Sequence, residues 1–396
     1  MSLFTSFTGF VRFAYENSPA VRDKFTTAGL KPGDIRGTED LPRLPLTRKS
    51  DLSARQQAAP PFGGFLAVPQ ERLQRIFASP GPIYDPQGEG EDYWRWGEAL
   101  AAAGFEAGEI VQNTFSYHLT PAGFMFDGAL RSLGCVVVPA GVGNTELQAQ
   151  IMRDLQVNGY IGVPSFLYAL IKKAEELGFV SELKLRRAWI TAERLSEELR
   201  TLLREKYGIS VFQGYGTADT GCVAYECPEL KGLHLARDVV VEIVDPQTGE
   251  PVPDGEVGEI VITLMVPTYP LLRLASGDLS AFIAEPCACG RPGKRLVGIL
   301  GRAAAGVKVR GLFLYPHQVS ELAGEFPQIK SLRAVVTQQD FRDELALEAE
   351  LAPGAAEDPE LTATIAARAK DLLRLKAEVF FVPPGTVGDA LIVDKR

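Results

Sequence analysis

Gln213-Gly214-Tyr215-Gly216-Thr217-Ala218-Asp219 closes an alternation of strand-like and helical runs that sets the fold. Immediately before it, Ile209 to Phe212 reads as a strand. Further back, Ser196 caps a helix with Leu199, Leu202 and Leu203 on one face, and Gly208 stops it. Ala188-Trp189-Ile190 is the preceding strand candidate. Pro164-Ser165 opens a helix running to about Gly178, and Tyr160 to Val163 is the strand before that. Cys135 to Val138 reads as a buried strand ending at Pro139. After it, a helix begins near Thr145, with Thr145 and Gln148 spaced as a capping box. Strands alternating with helices of this length predict an α/β domain with a largely parallel sheet.

Downstream the rhythm changes. Val239–Val244 and Glu259–Leu264 flank a turn-rich stretch, which predicts an antiparallel β subdomain. Ser276-Gly277-Asp278-Leu279, Gly301-Arg302 and Lys308-Val309-Arg310-Gly311 then follow in order. Beyond Arg302, Val307–Val309, Leu332–Thr337, Leu345–Leu351 and Val379–Val382 read as strands. Pro316 opens one helix, and another follows the loop at 352–359. The expected division is a large domain over 1–302 and a small α+β lid domain over 303–396.

The chain has 396 residues, 46% of them hydrophobic and 23% charged, which is ordinary globular composition. A formal net charge of −9 and the lack of a basic stretch argue against a nucleic-acid partner. No apolar run approaches the roughly 20 residues needed to span a bilayer. The first residues lack the basic leader of a signal peptide, so no membrane association and a cytoplasmic location are expected. Five cysteines in a chain of this length do not make a disulfide framework.

Taken singly, Tyr215-Gly216 also fits a strand-to-turn transition with a core tyrosine, and Ser276-Gly277-Asp278 a common turn. Taken in order, the motifs resemble the nucleotide-gripping motifs of adenylate-forming acid–CoA ligases, and of phenylacetate–CoA ligases in particular. Shared text runs along nearly the whole chain. It includes Ala14-Tyr15-Glu16-Asn17-Ser18-Pro19, Glu39 to Thr47, Gly143-Asn144-Thr145-Glu146, Glu226-Cys227, Tyr269-Pro270-Leu271, Cys289-Gly290-Arg291 and Pro383-Pro384-Gly385-Thr386. The resemblance implies a reaction in which a carboxylic acid attacks ATP to give an acyl-adenylate, and coenzyme A then displaces AMP. It implies that Tyr215, with Gly216 and Thr217, stacks on adenine and that Ala192 and Glu193 line the base pocket. It places Asp278 on the ribose hydroxyls, where a carboxylate can accept from both. Arg302 would reach the ribose or phosphate side, with Lys308 and Arg310 nearby. Asp219 falls where the family holds magnesium on a glutamate. The resemblance leaves a homodimer open.

Three positions depart from the family's pattern. Its phosphate loop is a Ser-Ser-Gly-Thr-Thr-Gly-Lys-Pro run. Here the text is Ala78-Ser79-Pro80-Gly81-Pro82-Ile83-Tyr84-Asp85-Pro86, with Pro82 lacking an N–H and Asp85 at the lysine's position. A charge reversal there predicts repulsion of phosphate. At the C-terminal end Asp389 takes the place of a second family lysine. At the hinge, Gly301-Arg302-Ala303-Ala304-Ala305 lacks the family's aspartate. Two readings stay open: an AMP-forming acid–CoA ligase, or a relative that binds AMP, acyl-adenylate or CoA thioester without ATP-driven adenylation.

Cys227, His234, Cys287 and Cys289 form a possible Cys3His set suited to a closed structural zinc site. With three histidines in the chain, one falling between Cys227 and a Cys-x-Cys pair favours metal over ordinary buried thiols. Cys135 and Cys222 read as core residues. His118 is either a substrate contact or a structural histidine, and His317 is expected to face solvent.

Overall fold

The computed structural model describes residue 4 and residues 6–79, 83–303, 306–309, 312–339, 342–373 and 375–396. The chain forms two compact units. One comprises Met1–Ser276 with Ser280–Ile299, the other Gly277–Leu279 with Leu300–Arg396.

The large unit is built on a sheet whose first half is parallel. Ile110–Asn113 lies second from the edge of that half. The chain adds Val136–Pro139 on one side of it, then Gly159–Gly162, Arg187–Ile190 and Ser210–Thr217 successively on the other. Helices Ala122–Ser132, Thr145–Asp154, Pro164–Glu176 and Glu197–Tyr207 make the crossovers. Gly159–Gly162 and Arg187–Ile190 are largely buried because helices cover the sheet there, whereas the edge strand Val136–Pro139 is not the buried strand expected: Val136 is 56% exposed. The reversal of strand order at Ile110–Asn113 opens a crevice at the carboxyl ends of the strands, where such sheets bind ligands. After Thr217 the chain turns back. Gly221–Tyr225 pairs antiparallel with Ser210–Thr217, and Leu233–Leu235, Arg295–Leu296 and Phe282–Ile283 extend the sheet further.

Helix Glu197–Tyr207 is capped as its sequence indicates. The Ser196 hydroxyl accepts from Leu199 N–H at 3.2 Å, and Gly208 ends the helix in the left-handed region at φ 69°. The capping box expected at Thr145 does not form. Asn144 is the cap residue, at φ 50° with no side-chain cap bond. Gln148 is buried and donates instead to the carbonyls of Gly141 and Gly143, at 2.9 and 2.7 Å. The amide thereby satisfies loop carbonyls in place of the helix end.

Trp96 and Trp189 form the centre of the core, both at most 2% exposed, with rings 6.0 Å apart and nearly perpendicular. The Ser210–Thr217 strand lies directly on them. A Cβ on Gly214 would come within 2.5 Å of Trp189. One on Gly216 would meet the Gly221 carbonyl at 2.2 Å and Trp96 at 2.6 Å. Glycine at these places is therefore a packing requirement.

A second sheet has the strand order Thr47–Arg48, Leu271–Ser280, Gly258–Leu264, Val239–Val244. Val239–Val244 and Gly258–Leu264 pair antiparallel, as expected from the sequence. Thr47–Arg48 pairs parallel with Leu274–Ala275, which brings the next residue, Lys49, far across the chain. A separate hairpin joins Arg75–Ser79 to Ile83–Gln87, with Phe77 opposite Asp85.

The small unit holds a four-stranded sheet in the order Glu378–Phe381, Arg342–Leu351, Ile329–Gln339, Ile392–Asp394. The sequence reading had missed the last strand, which pairs parallel with Ile329–Gln339. Helices Pro316–Gly324 and Pro359–Leu373 accompany the sheet. His317 does not face solvent freely. Its ring stacks on Tyr315 at 5.8 Å, and burial lowers its pKa.

Candidate functional site

The expected nucleotide residues of the large unit gather at the carboxyl ends of the parallel strands. Tyr215, Gly216 and Thr217 end the Ser210–Thr217 strand, and Asp219 sits in the turn to Gly221–Tyr225. Ala192 and Glu193 follow the neighbouring strand Arg187–Ile190, whose Ile190 is in register with Gln213. Ala192 is in the left-handed region at φ 71°, a conformation that costs a non-glycine residue energy and tends to occur at ligand sites. The Thr191 hydroxyl donates to the Gly214 carbonyl at 2.9 Å and ties the two strand ends together. Glu193 accepts from Ser165 N–H at 3.4 Å, at the positive end of helix Pro164–Glu176.

Asp219 is the centre of a buried charge cluster. Its side chain has no exposure, and Lys49 Nζ lies 2.5 Å from its Oδ2. The Thr217 hydroxyl donates to the same oxygen at 3.1 Å, and Thr217 and Thr220 hydroxyls share a 2.9 Å hydrogen bond. Arg95 supports the turn from behind by donating to the Thr220 carbonyl. Asp219 Oδ1 is buried and makes no hydrogen bond among the described residues.

Asp85 faces this cluster from the hairpin and is 3% exposed. Ser79 and Asp219 are polar groups that bear on it, yet neither of its oxygens makes a hydrogen bond of ordinary geometry. Burial first, and the charge of Asp219 second, push its carboxyl up to about 8. Burial and the neighbouring carboxylate thus favour the protonated form of Asp85 in the unliganded chain. Gln56 fixes the neighbouring backbone. It accepts from Tyr84 N–H at 2.7 Å, and its amide donates to the Tyr84 carbonyl at 2.8 Å and the Tyr269 hydroxyl at 3.3 Å. Residues 80–82 of the altered phosphate loop lie outside the described residues.

In the small unit, Asp278 and Arg302 are backbone partners, and Arg302 Nη1 lies 2.6 Å from Asp278 Oδ1. The Asp278 side chain is 11% exposed and the Arg302 side chain 67%. Lys308 lies on the strand Val307–Val309, with its side chain outside what is described. Arg310, Gly311, Ala304 and Ala305 lie wholly outside it. Asp389 is exposed, and so is His118 in the large unit.

The four metal-ligand candidates do come together. One ligand atom from each of Cys227, His234, Cys287 and Cys289 lies within 4.8 Å of the others. Cys227 and Cys287 sulfurs are 3.7 Å apart, and Cys289 Sγ is 3.4 Å from His234 Nε2. Two sulfurs sharing a tetrahedral zinc stand about 3.8 Å apart, and a sulfur and an imidazole nitrogen about 3.6 Å. All five cysteines are free thiols. Burial lowers the His234 pKa and keeps its imidazole neutral, the form that ligates. The donor set fits a closed structural zinc site. Cys135 and Cys222 are buried, as expected of core thiols.

Lys49, Gln56 and Arg95 were absent from the sequence reading. Each reaches the site through pairings between distant segments, which no local spacing encodes.

A family profile described as AMP-binding enzyme matches residues 104–264. The phenylacetate-coenzyme A ligase of Thermus thermophilus is 35% identical over 355 residues, covering 86% of this chain and 79% of that protein. The enzyme of the same name from Pseudomonas putida is 33% identical over 335 residues, covering 81% and 74%. Among solved structures, an open conformation of 2-hydroxyisobutyryl-CoA ligase in complex with 2-HIB-AMP and CoA superimposes with a TM-score of 0.83 at 24% identity. The match covers 98% of this chain and 89% of that one, and it is a likeness of fold.

Proposed function

We propose that this chain, which belongs to the phenylacetate–coenzyme A ligase family, joins a carboxylic acid to coenzyme A through an acyl-adenylate. A carboxylate oxygen attacks the α-phosphorus of ATP and pyrophosphate leaves. The thiol of coenzyme A then attacks the acyl carbon and AMP leaves. The observation that carries this reading is identity to phenylacetate-coenzyme A ligases along most of the chain. The geometry of the strand ends supports it, and the raised pKa of Asp85 weakens the charge objection to phosphate.

In this reading Tyr215 stacks on the adenine, with Gly216 and Thr217 shaping the strand end beneath it. Ala192 and Glu193 border the base. Asp278 accepts from the ribose hydroxyls, and Arg302 orients that carboxylate and approaches the ribose or phosphate side. Asp219 would hold magnesium, for which its buried, unpartnered Oδ1 is a suitable donor. When bound, the metal would neutralise phosphate charge. Zinc on Cys227, His234, Cys287 and Cys289 would be structural, since no ligand position is left for water. Residues 303–396 would serve as the lid, with Lys308 and Arg310 near the nucleotide. No helix among the described residues is long and apolar enough to cross a membrane. A cytoplasmic location and a homodimer belong to this same reading.

Pyrophosphate exchange over a panel of aryl and short-chain acids tests it. ATP-dependent exchange with at least one acid is expected. No exchange with any acid, while AMP and CoA thioesters still bind, would establish the binding-only relative instead.

A further inference from the structure

We infer that Lys49 is the cation this chain presents to the β- and γ-phosphates of its nucleotide. The inference rests on the acid–CoA ligase reading. The lysine expected in the phosphate loop is Asp85 here, buried in a hairpin and flanked by no strong hydrogen bond. An ammonium is nevertheless present at the same cluster, delivered from another part of the chain. Lys49 begins the short helical turn Lys49–Asp51, directly after the strand that pairs with Leu274–Ala275. Its Nζ contacts Asp219, and its charge also acts on Asp85.

The pair is asymmetric in a way that suits exchange. Asp219 is fully enclosed, whereas the Lys49 side chain is 30% exposed. A hard cation on Asp219 would take over the charge compensation that Lys49 now provides. The ammonium, on a flexible stem, would then be free to turn toward phosphate as a point charge. Phosphate would thus be held by a lysine from a separate segment, in place of a lysine within the loop.

The test is calorimetric binding of ATP and of AMP, each with magnesium, to the full chain and to Lys49→Met and Lys49→Arg. Losing one charge-assisted contact to phosphate should weaken ATP binding by about 10- to 100-fold. AMP binding should change by no more than about threefold, within the range of an uninvolved residue. Lys49→Arg should recover part of the ATP affinity, and thermal unfolding of both variants reports whether they fold. Equal losses for ATP and AMP, or none for ATP, would overturn the inference. The readout needs no turnover, so a wild-type chain that binds ATP through Lys49 without pyrophosphate exchange would sink the ligase reading alone.

Discussion

Arg200 and Glu226 meet as a buried fork. Nη1 reaches Oε2 at 3.0 Å and Nη2 reaches Oε1 at 2.8 Å, with both side chains 5% exposed. The same carboxylate accepts from Gln213 N–H and from the Gln213 amide, both at 2.9 Å. One ion pair therefore fixes helix Glu197–Tyr207, the strand leading to Tyr215, and the residue preceding Cys227. Glu226→Ala would leave the buried guanidinium with only Glu197, at 3.2 Å, and the Val211 carbonyl, at 2.8 Å, and should cost about 2–4 kcal/mol. Glu226→Gln should cost less, since it keeps acceptor capacity. Urea unfolding of the two variants checks the order, and equal stability to wild type would remove the fork from this role.

Protein prepared without chelator should carry about one zinc per chain. Cys287→Ser should lower that content and the unfolding temperature together, because a metal there would join segments at the antiparallel end of the sheet. Elemental analysis beside thermal unfolding makes the comparison. A metal-free wild-type chain of undiminished stability would show the four donors to be ordinary core residues.

Asp85 predicts an unusual pH dependence. Its folded-state carboxyl stays protonated to about 8, against an ordinary value of 3.8. The folded chain therefore holds an extra proton between those limits. Stability from this group is intact below the ordinary value and falls as pH rises toward the folded one, by about 1.4 kcal/mol per pH unit at steepest. Asp85→Asn cannot titrate and should flatten the profile. Urea unfolding of both proteins at several values from pH 5 to pH 8 measures the difference, and parallel profiles would contradict the assignment.

Asp278→Ala should weaken AMP binding by about 10- to 100-fold, since two hydroxyl donors on the ribose would lose their acceptor. Asp278→Asn should lose less. Titration calorimetry with AMP measures both, and unchanged affinity would take Asp278 out of the ribose site.

Much of this could be read from the chain because the physics was local. Gly159–Gly162 and Arg187–Ile190 are brief, largely apolar runs between amphipathic helices, the pattern of a covered parallel strand. Ser196 and Gly208 mark their helix because capping involves adjacent residues. The zinc donors stood out through the rarity of histidine. Lys49 and Arg95 did not, since each acts on a turn far along the chain. The environment of Asp85 is hidden for a related reason: an aspartate in a sequence carries no record of its burial, and burial shifts its pKa.

The strand Leu271–Ser280 has a consequence for inheritance. Its residues Gly277–Leu279 belong with Leu300–Arg396, although sequence assigned to the large unit separates them. A recombination event near residue 303 would exchange most of the small unit between relatives as a block. It would leave Asp278 and Arg302 with the recipient, while the four-stranded sheet and its two helices arrived from the donor. A crossover before Gly277 would keep Asp278 and Arg302 with those elements, but would cut the strand Leu271–Ser280 and part Cys287 and Cys289 from Cys227 and His234, so each crossover divides a different cluster between donor and recipient.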